Sequence, residues 1–121
     1  MTSPGLNNAA MTQAANQLIN ALAWAQLHSS AAGTAGTANI ITGVARQRVP
    51  WGTPTGSGNF SLVAMMLFTG GPANGTVYSV TLWDSLTGGT FLGEYVLTGD
   101  TAFNAAGQFQ VTALDIVGTA G

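Results

Sequence analysis

Charge is what this 121-residue chain has least of: two arginines, four acids and no lysine make up 5% of it, for a formal net charge of −2. A soluble globular domain ordinarily carries about 25% charged residues. The surface must therefore be covered by Thr, Ser, Asn, Gln, Gly and Ala, or by other protein. With so few charges there is little electrostatic resistance to association, so much of the surface is expected to be interface. Nucleic-acid binding draws its affinity from phosphates neutralised by Lys and Arg, and Arg46 and Arg48 alone cannot supply it. No cysteine is present, which excludes disulfides and thiolate metal sites and leaves the redox compartment open. The longest apolar run, Leu62 to Phe68, falls far short of the ~20 residues a transmembrane helix needs. Met1 is followed by Thr, Ser, Pro and Gly, with neither a basic nor an apolar leader segment, so no secretory signal is expected.

Catalytic groups are equally sparse. His28 is the single histidine, and a metal site or catalytic dyad needs convergent partners that its neighbours do not offer, so a His at a polar edge or a satisfied His is expected. The acids Asp84, Glu94, Asp100 and Asp115 are dispersed along the chain. The serines have no His and Asp support, and each glycine cluster precedes a strand or the terminus rather than opening a helix as a phosphate loop does. No enzyme activity, metal or cofactor is expected.

What is present is a single domain over residues 1–121, large enough to bury roughly two-thirds of its unfolded surface. Its most legible part is Thr76 to Gly99, read as a hairpin. Val77, Ser79, Thr81 and Trp83 alternate with Tyr78, Val80 and Leu82; Asp84 to Gly89 supplies a polar, glycine-rich turn; Phe91, Gly93, Tyr95 and Leu97 alternate on the return.

Residues 1–5 form a flexible lead, and Asn7 or Asn8 caps an amphipathic helix over 7–23. Met11, Ala14 or Ala15, Leu18, Ile19 and Leu22 make its apolar stripe, which either closes the sheet core or docks on a neighbouring subunit. A short strand follows at 23–28, then a small-residue loop, Ser29 to Asn39, expected to be exposed or laid across a partner. Gly43 to Trp51 alternates as a strand that Pro50 ends or places at an edge, with Arg46 and Arg48 on one face, meeting Asp84, Glu94, carbonyls or a partner subunit. Asn59 to Thr69 reads as one strand apolar on both faces, so the face carrying Val63, Met65 and Leu67 needs a cover. Gln108 to Val117 reads as the last strand, and residues 118–121 as a tail. The sum is a mainly β domain over 24–117: an antiparallel β-sandwich or Greek-key barrel of five to six strands with one N-terminal α-helix.

Three stretches carry a likeness: Leu27-His28-Ser29 before a Gly/Thr/Ala-rich loop, Val44 to Trp51 against a "YAR-x-x-V-x-W" pattern, and Gly75 to Gly93 against "GTV-x-x-V-x-LWD-x-x-TGGTFLG". Together they resemble a family of small actinobacteriophage virion proteins described as minor tail or head decoration proteins. Val44 stands where that pattern has an aromatic, and Pro50 interrupts the strand. The resemblance implies a non-enzymatic, homo-oligomeric structural part of a phage particle, a trimer being one compatible form, made in the host cytoplasm. It implies a place on the head surface, bound to the major capsid protein, with the tail and its proteins as the alternative. The residues expected at a subunit or capsid interface are Met11, Leu18, Leu22, Arg46, Arg48, Met65 and Leu67. A glycan- or receptor-binding module, the third reading, would need exposed aromatics from among Trp24, Trp51 and Trp83.

Overall fold

The structure, a computed structural model, describes residues 7–98 and 101–116. The expected lead over 1–5 and tail over 118–121 lie outside these residues, as do Asp100 and Val117. Helix α1 spans Asn8–Ala21, and Asn7 caps it by accepting a hydrogen bond from the Ala10 backbone N–H at 2.9 Å. The helix stops two residues short of the expected 23 because Leu22 leaves helical geometry (φ −83°, ψ 50°) and the chain enters a strand at Trp24. It lies on the loop over 52–58. A Cβ at Gly58 would sit 2.6 Å from the Met11 carbonyl oxygen, so only glycine, here at φ +92°, lets the loop come so close.

Strands β1 (Trp24–His28), β2 (Gln47–Arg48), β3 (Phe60–Ser61), β4 (Met66–Phe68), β5 (Ser79–Trp83), β6 (Phe91–Val96), β7 (Phe109–Val111) and β8 (Asp115–Ile116) follow. All their pairings are antiparallel: one four-stranded sheet in the order β2-β1-β5-β6, and two short ladders, β3-β8 and β4-β7. The fold is mainly β with one N-terminal helix, as expected, and of the two architectures proposed it matches the sandwich. The hairpin is also present, as β5 and β6, with a register shift between Leu82 and Trp83.

Three expected strands are broken. Asn59 to Thr69 divides into β3 and β4, which pair with different partners, and the chain crosses between the two ladders at 62–65, where Leu62 bridges Trp51 and the Val63 N–H donates to the Pro50 carbonyl. Gln108 to Val117 divides into β7 and β8 for the same reason. Of Gly43 to Trp51 only Gln47–Arg48 is strand: Val49 donates to Ala23 and Pro50 has no N–H to give. Periodicity locates the apolar residues, but strand length is set by the partner available to each half.

The apolar face of the four-stranded sheet, Ala25, Leu27, Val80 and Leu82, shares one core with Phe60, Met66, Phe68 and Val111 of the two ladders. Phe103, in a segment expected to be mere connection, is fully buried and packs edge-on against Phe109 at 6.0 Å between ring centroids.

Candidate functional site

The register of β1 on β5 sets Trp24 opposite Trp83, Gln26 opposite Thr81 and His28 opposite Ser79. Side chains alternate across a strand, so these six residues share the sheet face turned away from the apolar core. That face is not open to solvent: Gln26, His28, Ser79, Thr81 and Trp83 are all buried. The loop over 29–46 lies across it. A Cβ on Gly36 (φ +73°) would be 2.4 Å from the Phe91 ring, which shows how closely the loop is pressed to β6. The small-residue loop Ser29 to Asn39 is exposed over most of its length, as expected, and its inner side, with Ala32 and Gly36 buried, lies on the chain's own sheet.

Polar groups hold it there. His28 Nδ1 is 2.7 Å from the Ala38 carbonyl oxygen, and a carbonyl only accepts, so Nδ1 carries the proton and donates. In the neutral ring Nε2 then accepts from the Thr81 hydroxyl at 2.8 Å, and that hydroxyl accepts in turn from the Trp83 indole N–H at 2.8 Å. Glu94, on β6, receives the Ser79 hydroxyl at 2.5 Å and the Ala32 backbone N–H at 2.9 Å. Burial lowers the His28 pKa below its ordinary 6.5, outweighing the Ala38 bond and the Glu94 charge, which both raise it.

Arg46 ties the loop to the hairpin turn. It donates to the Ser85 carbonyl at 2.7 Å, the Gly88 carbonyl at 2.8 Å and the Gln26 side-chain oxygen at 3.1 Å, and its guanidinium carbon lies 4.1 Å from the centroid of a Trp83 ring. Within the turn Asp84 accepts from the Thr90 N–H at 2.8 Å, which holds the carboxyl below its ordinary 3.8. Of the alternatives expected for this arginine, carbonyls are the ones realised. Arg46→Ala should cost about 2 kcal/mol in chemical unfolding, since hydrogen bonds from a charged donor contribute roughly 1.5–3 kcal/mol. Arg46→Lys should recover less than half of that: one nitrogen, Nη1, reaches both carbonyls, but a lysine has no second nitrogen for the bond that Nε makes to Gln26 and no planar group to lie over Trp83.

The residues expected at an interface separate in the fold. Leu22 is buried and Met11 half-buried, and Arg46 is committed to the monomer's own turn. Arg48 is exposed, 5.7 Å from the centroid of a Trp24 ring. Leu18 (44% exposed), Met65 (51%) and Leu67 (38%) remain on the surface, joined by Val63 at 74%. The second face of the Asn59–Thr69 stretch, for which a cover was expected, is bare in the isolated chain. Leu86, Leu92 and Val96, which no sequence pattern singles out, are also exposed.

Two of the three tryptophans considered for glycan stacking, Trp51 and Trp83, are engaged internally. Trp51 donates to the Leu22 carbonyl at 2.8 Å and packs edge-on against Phe60, and Trp83 sits under Arg46. A surface cleft of about 510 Å3 lined by Thr53, Ser61 and Val63 carries Asp115 as its titratable group, and one of about 460 Å3 beside Leu86 carries Arg46. Among the described residues no three His, Cys, Asp or Glu side chains gather as metal ligands, and no helix is long and apolar enough to cross a membrane.

A family model described as "Podophage GP4 fiber I protein gp80" matches residues 5–119, nearly the whole chain. No curated protein and no solved structure shows significant similarity to it.

Proposed function

Since the chain belongs to the podophage GP4 fiber I protein gp80 family, and so is a structural protein of a phage virion, we propose that it acts by assembly rather than catalysis, as a repeated subunit of a tail-side fibre. The observation that carries this reading is the family match over residues 5–119. The likeness to virion proteins drawn from Leu27–Ser29, Val44–Trp51 and Gly75–Gly93 therefore holds at the level of a phage structural protein. The family matched is a podophage fibre rather than an actinobacteriophage decoration protein, and a fibre is better suited to the tail than to the head surface preferred from sequence.

The surface supports the same role. Val63, Met65, Leu67, Leu86, Leu92 and Val96 are exposed on a chain with only six formally charged side chains, a composition suited to packing against other protein. The clefts described above bring Asp115 or Arg46 to solvent without a second titratable group to make an acid–base pair, and two arginines in a net-acidic chain give nucleic acid little to hold. Homo-oligomerisation, with tail proteins as further partners, completes the proposal.

Quantitative mass spectrometry of purified virions tests it. A fibre subunit should be present in far fewer copies than the major capsid protein, because fibres attach at one vertex and not across the head lattice. Copy numbers equal to the capsid protein's would restore the decoration reading, and absence from particles would overturn both.

A further inference from the structure

The hairpin strand β6 is the longest strand described and one edge of the four-stranded sheet. The phase of its ladder follows from a single bond: the Leu97 N–H donates to the Tyr78 carbonyl at 2.9 Å. In an antiparallel pair the positions that bond the neighbour alternate, so Tyr95 and Gly93 also turn their backbone groups toward β5. Glu94 and Val96 direct both N–H and C=O the other way. Among the described residues, no backbone group of another segment bonds to that edge.

Monomeric proteins blunt such an edge with lysine, proline, an outward charge or a bulge. This strand has no lysine or proline. Its one charge, Glu94, is occupied with Ser79 and Ala32 and does not guard the edge. The register shift opposite Leu82 and Trp83 lies at its beginning and leaves Gly93 to Val96 regular. Leu92 (42% exposed) and Val96 (54%) add apolar surface beside the free groups.

We propose that β6 is the strand through which two copies of this chain join, edge to edge and antiparallel, extending the four-stranded sheet across a two-fold axis. A second copy is the partner that fits because an antiparallel edge is its own complement: under two-fold symmetry each outward N–H meets the same strand's outward C=O. With a net charge of −2 per copy, little electrostatic repulsion opposes the approach. The register that sets Glu94 opposite Val96 of the second copy keeps the two carboxylates apart, centres the pair on Tyr95 and makes about four backbone hydrogen bonds. The inference deepens the proposed assembly role, on which its homo-oligomer rests, by naming the joining surface.

The test is sedimentation equilibrium of the full chain over a range of concentrations, with Val96→Pro and Val96→Lys as variants. Val96→Pro removes an N–H that points away from β5, so the internal ladder survives; Val96→Lys places a charge on the edge. The wild type should associate, and both variants should weaken association by more than about tenfold while keeping the wild-type circular dichroism. Should Val96→Pro unfold, Val96→Lys decides. Met65→Lys, on the other apolar surface, should leave association unchanged. A wild type that stays monomeric, Val96→Lys associating like wild type, or Met65→Lys abolishing association would overturn the inference. None of these results bears on whether the protein is a virion fibre, which copy number in particles tests separately.

Discussion

Phe68→Ala should lower the midpoint of thermal unfolding by about 10–20 °C, the largest effect expected of any single truncation in this chain. Phe68 lies in β4 at 0% exposure, where the apolar face of the four-stranded sheet meets the β4-β7 ladder. Deleting a buried aromatic ring removes its transfer free energy and leaves a cavity, together about 3–5 kcal/mol. Against a total stability of about 5–15 kcal/mol, that brings the domain near its threshold. The loss should be global, with near-ultraviolet and far-ultraviolet signals melting together. Leu86→Ala, at a 50% exposed position in the hairpin turn, is the matched control and should change stability by no more than about 0.5 kcal/mol. A Phe68→Ala variant within about 1 kcal/mol of wild type would mean that the two halves of the sandwich do not share the core described.

The second large effect is the dependence of stability on His28. Its ring is at 0% exposure, with both nitrogens bonded, and burial lowers its pKa from the ordinary 6.5. Below that value the unfolded chain takes up a proton that the folded chain resists, so the unfolded state holds more protons and stability rises with pH. The contribution is complete above the unfolded pKa and is lost as pH falls from about 6.5 toward the depressed folded value. The groups facing the ring set how far it falls: Glu94 from β6 partly compensates the imidazolium, and Arg46 from the covering loop opposes it. Asp84, held below its ordinary 3.8, loses its own contribution only at more acid pH, so the two steps separate. Urea unfolding at about pH 7.5 and about pH 5 should show the wild type less stable at the lower pH. His28→Gln should flatten this interval while costing about 1–3 kcal/mol at the higher pH, through the bonds to Ala38 and Thr81 that it cannot fully replace. Equal stability of the wild type at both pH values would contradict the buried neutral ring.

The local features of this fold are legible in its amino-acid sequence. Asn7 marks the start of the helix through its side chain, and the Asp84–Gly89 turn between two alternating runs marks the hairpin. Both depend on residues within a few positions of one another. The long-range pairings are not legible in the same way. Trp24, Gln26 and His28 share one side of their strand, and Ser79, Thr81 and Trp83 share one side of theirs, but the register that makes these a single polar face joins residues more than fifty positions apart. The same limit explains the broken strands: Asn59 to Thr69 has the pattern of one strand, yet its halves pair with β8 and β7. Acids, carbonyls or a partner could all have met Arg46, and the geometry of the turn, which aims the Ser85 and Gly88 carbonyls at it, decides among them. The edge at β6 is hidden for a related reason, since a strand's outer partner is known only when the order of strands is known.

Assembly into a tail-side fibre is tested most directly by immunogold labelling of intact particles with antibody to the purified chain. Label gathered at the tail, on fibres extending from it, is the result predicted. Label spread evenly over the head, or particles that bind no antibody although the protein is detected in them, would contradict it.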